Sequence, residues 1–151
     1  MKIKFWKLSQ GFGLFTFDEL LKSIEDRLIY IHKDTGAKGN SKTSQGEDFI
    51  NASIGDYFYL THGNSGGIYL LGQMTGPVNY FSNYPEGWVD RPFRIIARAK
   101  NQEFYKDQEK WWTPNHNSTF VEVPKNELKL FQDLILKPYF DIDFKNFGLK
   151  V

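Results

Sequence analysis

Two short runs rich in aromatic and aliphatic residues, Tyr57–Thr61 and Ile68–Gln73, flank the turn-forming sequence His-Gly-Asn-Ser-Gly-Gly. That arrangement predicts a β-hairpin with a long glycine-rich loop. Gly55-Asp56 opens the first strand as a tight turn. Gly72 falls where the second strand must bend or accept a close neighbour. An isolated hairpin is marginal in water, so the rest of the chain has to supply flanking strands and a helix that covers one face. The hairpin is therefore the centre of a small sheet.

The partners are legible on both sides. Lys2–Leu8 alternates as a strand, with Ile3 and Phe5 on one face and Trp6 on the other, and Ser9–Gly13 follows as a loop. Thr16-x-x-Glu19 is a capping box at the head of an amphipathic helix, Thr16–Leu28, whose stripe is Phe17, Leu20, Leu21, Ile24 and Leu28. Ile29–His32 is a short strand. The polar stretch from Lys33 to Phe49 reads as a long loop. Pro77–Asp90 is an aromatic, Pro/Gly-rich loop, and Phe93–Arg98 is a strand with Arg94 and Arg98 on one basic face. Thr119–Val123 is a further strand. A second helix follows Pro124 and stops at Pro138. The fold class expected is α+β, a small, strongly curved, mostly antiparallel sheet with flanking helices. With 151 residues and no internal repeat, the chain reads as one domain, 1–151, with 101–151 as a C-terminal extension.

Composition narrows the function. The chain has no cysteine, which removes disulfides and thiolate metal sites. No apolar run reaches membrane-spanning length and Met1–Trp6 is not a signal peptide, so a cytoplasmic protein without membrane attachment is expected. His32, His62 and His116 are isolated, so no metal or other cofactor is expected. Phosphate-binding glycine motifs and nucleophile elbows are absent. Glu127-Leu128-Lys129 matches half of a nuclease signature but lies in a predicted helix, where it reads as a solvated face. The expected protein is a binder, not an enzyme. A net charge of +1 gives no global attraction to polyanions. The aromatic share is 17%, with Phe 14, Tyr 8 and Trp 4; most such rings read as filler of a compact β-rich core, and a few could line a pocket for a flat ligand.

In order and spacing, several segments resemble the PUA superfamily and, within it, EVE-like domains. These are F-W-K-L-S, a helix and polar connector, S-I-G-D-Y-F-Y-L, I-Y-L-L-G-Q-M and D-R-P-F-R-I-I-A, together about the first 100 residues. The connector departs from the EVE pattern, with S-Q-G-E-D in place of H-G-K. The resemblance implies a pseudo-barrel that reads a modified base. EVE-like domains also form the N-terminal specificity domains of McrB-type modification-dependent restriction GTPases. The implied ligand is methylated double-stranded DNA, with the base flipped into an aromatic cage. The implied partner is a GTPase/nuclease subunit, because GTPase motifs are missing here.

Stacking restores roughly 1–3 kcal/mol per base to a nucleotide taken out of the helix. Trp6 and Trp88 are the chosen cage walls, with Tyr57 or Tyr59 as a third and Ser9 at the base edge. Lys33, Lys38, Lys42, Arg91, Arg94 and Arg98 are the candidate phosphate contacts. Two other readings stay open: an RNA-binding PUA-like module, and a protein-interaction or small-ligand domain whose rings are core.

Overall fold

The computed structural model describes residues 3–11, 15–39, 41–63 and 67–145. Its strands are β1 (Phe5–Gln10), β2 (Leu28–His32), β3 (Tyr57–His62), β4 (Ile68–Met74), β5 (Trp88–Arg98) and β6 (Phe120–Glu122). Among the described residues they form one sheet in the order β2-β5-β4-β3-β1-β6, curled into a half-barrel. The hairpin β3–β4 is central, as its sequence requires. Every neighbouring pair is antiparallel except β1 and β3, which run parallel. The α+β class and the curved sheet with flanking helices are as expected.

The curl has a visible clasp. Gln10 closes β1, and β2 is four places away in the sheet. Yet the Gln10 amide donates to the Tyr30 carbonyl at 2.7 Å and accepts from the Tyr30 N–H at 3.1 Å. A buried amide that exchanges both bonds with an edge strand fixes β1, the strand next to the opposite edge, against β2.

Helix α1 (Phe17–Asp26) carries both bonds of its capping box, and Arg27 ends it in the left-handed conformation. The connector after β2 is not wholly loop. Helix α2 (Gln45–Asn51) lies within it, started by Ser44, whose hydroxyl accepts from the Glu47 N–H. Ser44-x-x-Glu47 was a legible start signal, but only two apolar residues follow it, too few to show a stripe. Gly46 is required there, since an added Cβ would lie 2.0 Å from the Lys33 carbonyl oxygen.

The strands bury two faces. The inner face holds Trp6, Leu8, Phe58, Leu60, Leu70, Met74 and Phe93 under α1 and α2. The outer face holds Phe5, Tyr59, Ile68 and Leu71, sealed by the segment 105–112 and the C-terminal helix. That helix begins as a 3₁₀ turn (Lys125–Glu127), passes through one α turn, α3 (Leu128–Phe131), and widens to a π-helix (Gln132–Phe140). Pro138 lies inside it, contrary to the expected stop. A wider turn relieves the clash of a proline ring with the carbonyl four residues back.

Three other expectations are corrected. β1 extends to Gln10, because β3 and β6 flank it and keep its backbone groups paired. Ile3 is 38% exposed and belongs to no core, while all six residues of β1 are buried. β5 begins at Trp88, not Phe93, and a bulge opposite Leu71/Gly72 breaks its alternation. Pairing then sets Arg94 beside Gln73 on the outer face and Arg98 beside Leu70 on the inner one. The single basic face does not form. Gly72 sits at that bulge and leaves room for a ring: an added Cβ would lie 2.5 Å from Phe58 Cζ.

Candidate nucleic-acid interface

The residues chosen for one cage divide between two faces. Tyr57 stacks on Phe5 at 5.1 Å, and Tyr59 is fully buried with its hydroxyl donating to the Trp112 carbonyl, both on the outer face. Ser9 pairs with Thr61, one residue out of phase with Trp6, and its hydroxyl donates to the Gly63 carbonyl at 2.9 Å. Trp6 and Trp88 belong to the inner face, but β3 and β4 lie between their strands. That separation is about 14 Å measured along the sheet. Among the described residues their ring contacts share no member.

Trp88 is the hub of an aromatic group at the rim of the half-barrel. Phe15 precedes α1, Tyr30 is on β2, Tyr84 is in the β4–β5 loop and Trp88 opens β5. Tyr30 and Tyr84 meet edge-on at 4.7 Å. Phe15 stacks on Tyr84 at 5.4 Å and on Trp88 at 6.3 Å, and Tyr84 lies 5.5 Å from Trp88. Phe15 and Tyr30 are buried, whereas Tyr84 and Trp88 are half-buried and form the open side. The group sits beside the Gln10 clasp. Burial pushes the Tyr30 phenol up to about 12, and burial followed by a hydrogen bond to Glu19 raises Tyr84 further. Both rings therefore stay neutral hydrogen-bonding groups at any ordinary pH. Gly87 is obligatory here, with φ +93° and His32 Nε2 only 2.4 Å from where a Cβ would be. Lys33 follows directly: its N–H donates to the Gly87 carbonyl, and its exposed ammonium lies 3.3 Å from Asp34.

Trp6 sits elsewhere, 4% exposed. Its Nε1 donates to Asp56 at 3.0 Å, and its ring stacks on Phe120 at 4.3 Å. Asp56 also accepts from the N–H groups of Lys4 and Ser53, so the turn residue of the hairpin is the anchor of this tryptophan. Trp6 is thus a core ring whose margin lines a cavity of about 260 Å³, walled by Trp111, Val121 and Pro124. Lys38 lines the same cavity, and Lys42 lies four residues on.

Trp111 was not chosen from the sequence, although a Trp-Trp pair inside a charged, turn-rich stretch was the available signal. Buried Lys7 braces its loop by donating to the His116 carbonyl at 2.7 Å and to Ser118 Oγ at 2.9 Å. Ser118 in turn donates to the Trp111 carbonyl at 2.6 Å. Desolvation lowers the Lys7 ammonium to about 7, against the opposing charge of Glu109.

Of the proposed phosphate contacts, Arg91 is 1% exposed and donates to the carbonyls of Gly76, Phe49 and Ala52. It is an internal brace and cannot reach a ligand in this fold. Arg94 and Arg98 are exposed on opposite faces. Lys33 and Lys42 are exposed and Lys38 is half-buried; Lys33 lies next to the Trp88 group, Lys38 lines the Trp6 cavity, and Lys42 adjoins Ser41, which lines that cavity too. Glu127 is not a solvated face either. It accepts from Trp112 Nε1 at 2.8 Å and pairs with Lys110, and the first of these bonds chiefly lowers its carboxyl. Among the described residues no helix is long and apolar enough to cross a membrane.

No family model and no curated protein sequence matches the chain, so the EVE resemblance gains no support from that side. Solved structures do match. A hypothetical protein from Leishmania major is 14% identical, with a TM-score of 0.50 over 87% of this chain and 94% of that one. The YTH domain of the Zygosaccharomyces rouxii MRB1 protein, solved in complex with N6-methyladenosine RNA, is 10% identical, with a TM-score of 0.54 over 93% of this chain and 86% of that one. At such identity the likeness is one of architecture: this half-barrel shares its fold with a YTH domain.

Proposed function

We propose that this chain is a binding module that reads a modified base, taken out of methylated double-stranded DNA into the aromatic group at the rim of the half-barrel. The observation that carries the reading is the convergence of Phe15, Tyr30, Tyr84 and Trp88 from four separate segments, with its open side formed by the last two. A base between such rings regains the stacking it lost. Burying its methyl group adds about 0.8 kcal/mol, so discrimination also needs a polar contact to the base edge. The neutral hydroxyls of Tyr30 and Tyr84 supply candidates, and Lys33 flanks the group for a phosphate. In this reading the chain has no catalytic role. It is the targeting part of a modification-dependent restriction system, and any GTPase or nuclease activity belongs to a partner subunit or to another part of a longer chain.

A second reading, recognition of a modified base in RNA, is favoured by one observation: the similar YTH domain was solved with N6-methyladenosine RNA. The test is a binding panel of duplexes carrying 5-methylcytosine, N4-methylcytosine, N6-methyladenine or no modification, beside single-stranded RNA with and without N6-methyladenosine. One modified duplex should bind more tightly than its plain counterpart, and Trp88→Ala should abolish that preference while leaving weak general binding. Preference confined to RNA would select the second reading. Equal binding across the panel, or an undiminished preference in Trp88→Ala, would overturn both.

A further inference from the structure

The cavity between Trp6 and Trp111 shares no lining residue with the Trp88 group, and Trp111 lines a second cavity as well. That second cavity, of about 370 Å³, shares Trp111 and Pro124 with the first and is lined by Glu109, Lys110, His116 and Glu127. At 43% exposure Trp111 is a large ring held in the open. It is held firmly. Gly39, at φ +67°, would place a Cβ 3.3 Å from Trp111 Cγ, so the indole rests on bare backbone. His116 meets it edge-on at 4.7 Å and is itself fixed 2.6 Å from Glu109.

The charges around the two cavities differ in kind. Beside the first, Glu122 is paired with Lys4 at 3.4 Å, and Asp48 accepts from the hydroxyls of Ser41 and Thr43. Lys38 and Lys42 have no partner among the described residues. In the second, Lys110 is committed to Glu127 at 3.1 Å and Glu109 to His116, so no free cation remains among its lining residues. A flat ring stacked on Trp111 from the first side would therefore carry any attached phosphate toward Lys38 and Lys42. Each cavity is lined by two carboxylates, Asp48 and Glu122 in the first and Glu109 and Glu127 in the second. The difference lies in the cation: among the described residues the first adds unpaired Lys38 and the second has no free one.

We infer that the Trp6–Trp111 cavity is a second nucleotide site, in which an unmodified base of a single strand stacks on Trp111 and its phosphate is met by Lys38 and Lys42. Trp6, stacked on Phe120, is the floor and Trp111 the exposed wall. The site assumes that the chain binds nucleic acid, as proposed above, but not that it prefers a modified base. It is indifferent to sequence and modification, because the contacts proposed are to a ring face and a phosphate, which every nucleotide offers.

The experiment uses the whole chain and an unmodified single-stranded oligothymidylate of eight nucleotides, followed by fluorescence anisotropy over a range of salt. Trp111→Ala should weaken binding about tenfold, from the loss of one stacked base. Trp111→Phe should recover most of that loss. Lys38→Gln combined with Lys42→Gln should lower the slope of log affinity against log salt by about 1 to 2. None of these changes should alter the ratio of modified to unmodified duplex binding, which belongs to Trp88. Unchanged oligothymidylate binding in Trp111→Ala, with its melting temperature also unchanged, would overturn the site. So would equal loss in the Ala and Phe variants. Loss in Trp111→Ala with recovery in Trp111→Phe, in a protein that shows no preference among duplexes, would support this site while refuting the modified-base reading.

Discussion

The outer and inner faces of the sheet use the same kinds of residue to opposite ends. On the outer face Tyr59, Trp112, Phe131 and Phe140 are at most 1% exposed, and the polar atoms of the first two are satisfied by the Trp112 carbonyl and by Glu127. On the inner face the rings near the rim are graded, from buried Phe15 and Tyr30 to half-buried Tyr84 and Trp88. The outer face is closed because an entire helix lies across it. The rim is less completely covered: the start of α1 reaches it through Phe15 and Glu19, and Tyr84 and Trp88 remain half-buried. A ring's surroundings, not its identity, decide whether it fills a core or waits for a ligand.

The largest effect that separates the two faces is the cost of truncation. Phe131→Ala removes a fully buried ring that touches Phe5, Tyr59 and Trp112, and should cost roughly 3–5 kcal/mol in urea unfolding. Trp88→Ala, at the open rim, should cost clearly less than that. Equal losses would erase the distinction and make the rim another piece of core.

A smaller effect sharpens the outer face, where Lys7 is buried. Its pKa, lowered by desolvation to about 7, lies below that of the unfolded chain. Between about pH 7 and 10 the unfolded state therefore holds a proton that the folded state has released, and stability rises with pH. Below pH 7 both states are charged and the trend stops. Lys7→Met should remove a gain on the order of 2 kcal/mol between pH 7 and 9, measured by unfolding at both values. Parallel pH curves for variant and parent would show that Lys7 titrates normally. Above pH 10 the sign reverses, because phenols such as Tyr30 hold their protons longer folded than unfolded.

The smallest effect concerns the rim. Thr16→Ala removes the hydroxyl that caps α1 next to Phe15 and should cost about 1 kcal/mol of stability. If the cap also fixes Phe15 against Tyr84 and Trp88, near-ultraviolet circular dichroism of the aromatic bands should change by more than that small loss suggests. An unchanged spectrum would mean that the rings hold themselves.

Much of this was legible in the residues, and what was not has definite physical causes. The β3–β4 hairpin, the Thr16–Glu19 box and the strands around Ile29 and Phe120 follow from contacts between near neighbours, which local propensity and periodicity record. The face taken by each β1 residue was not legible in full. β1 is buried on both sides, so its alternation separates two cores rather than core from solvent. Helix α2 was missed because its stability rests on Phe49 packing against Phe120, 71 positions away.

What the sequence by itself determined is most of the elements, α2 excepted, and the wealth of rings that need somewhere to go. Only the tertiary structure decided which rings meet. One bulge in β5 parted Arg94 from Arg98, and one strand order placed Trp6 with Trp111 instead of Trp88. Arg91 was drawn inward because three backbone carbonyls converge on it, two from the C-terminal end of α2 and one from Gly76 after β4. Such choices depend on residues far apart in the chain arriving at one place, and no local pattern encodes that arrival.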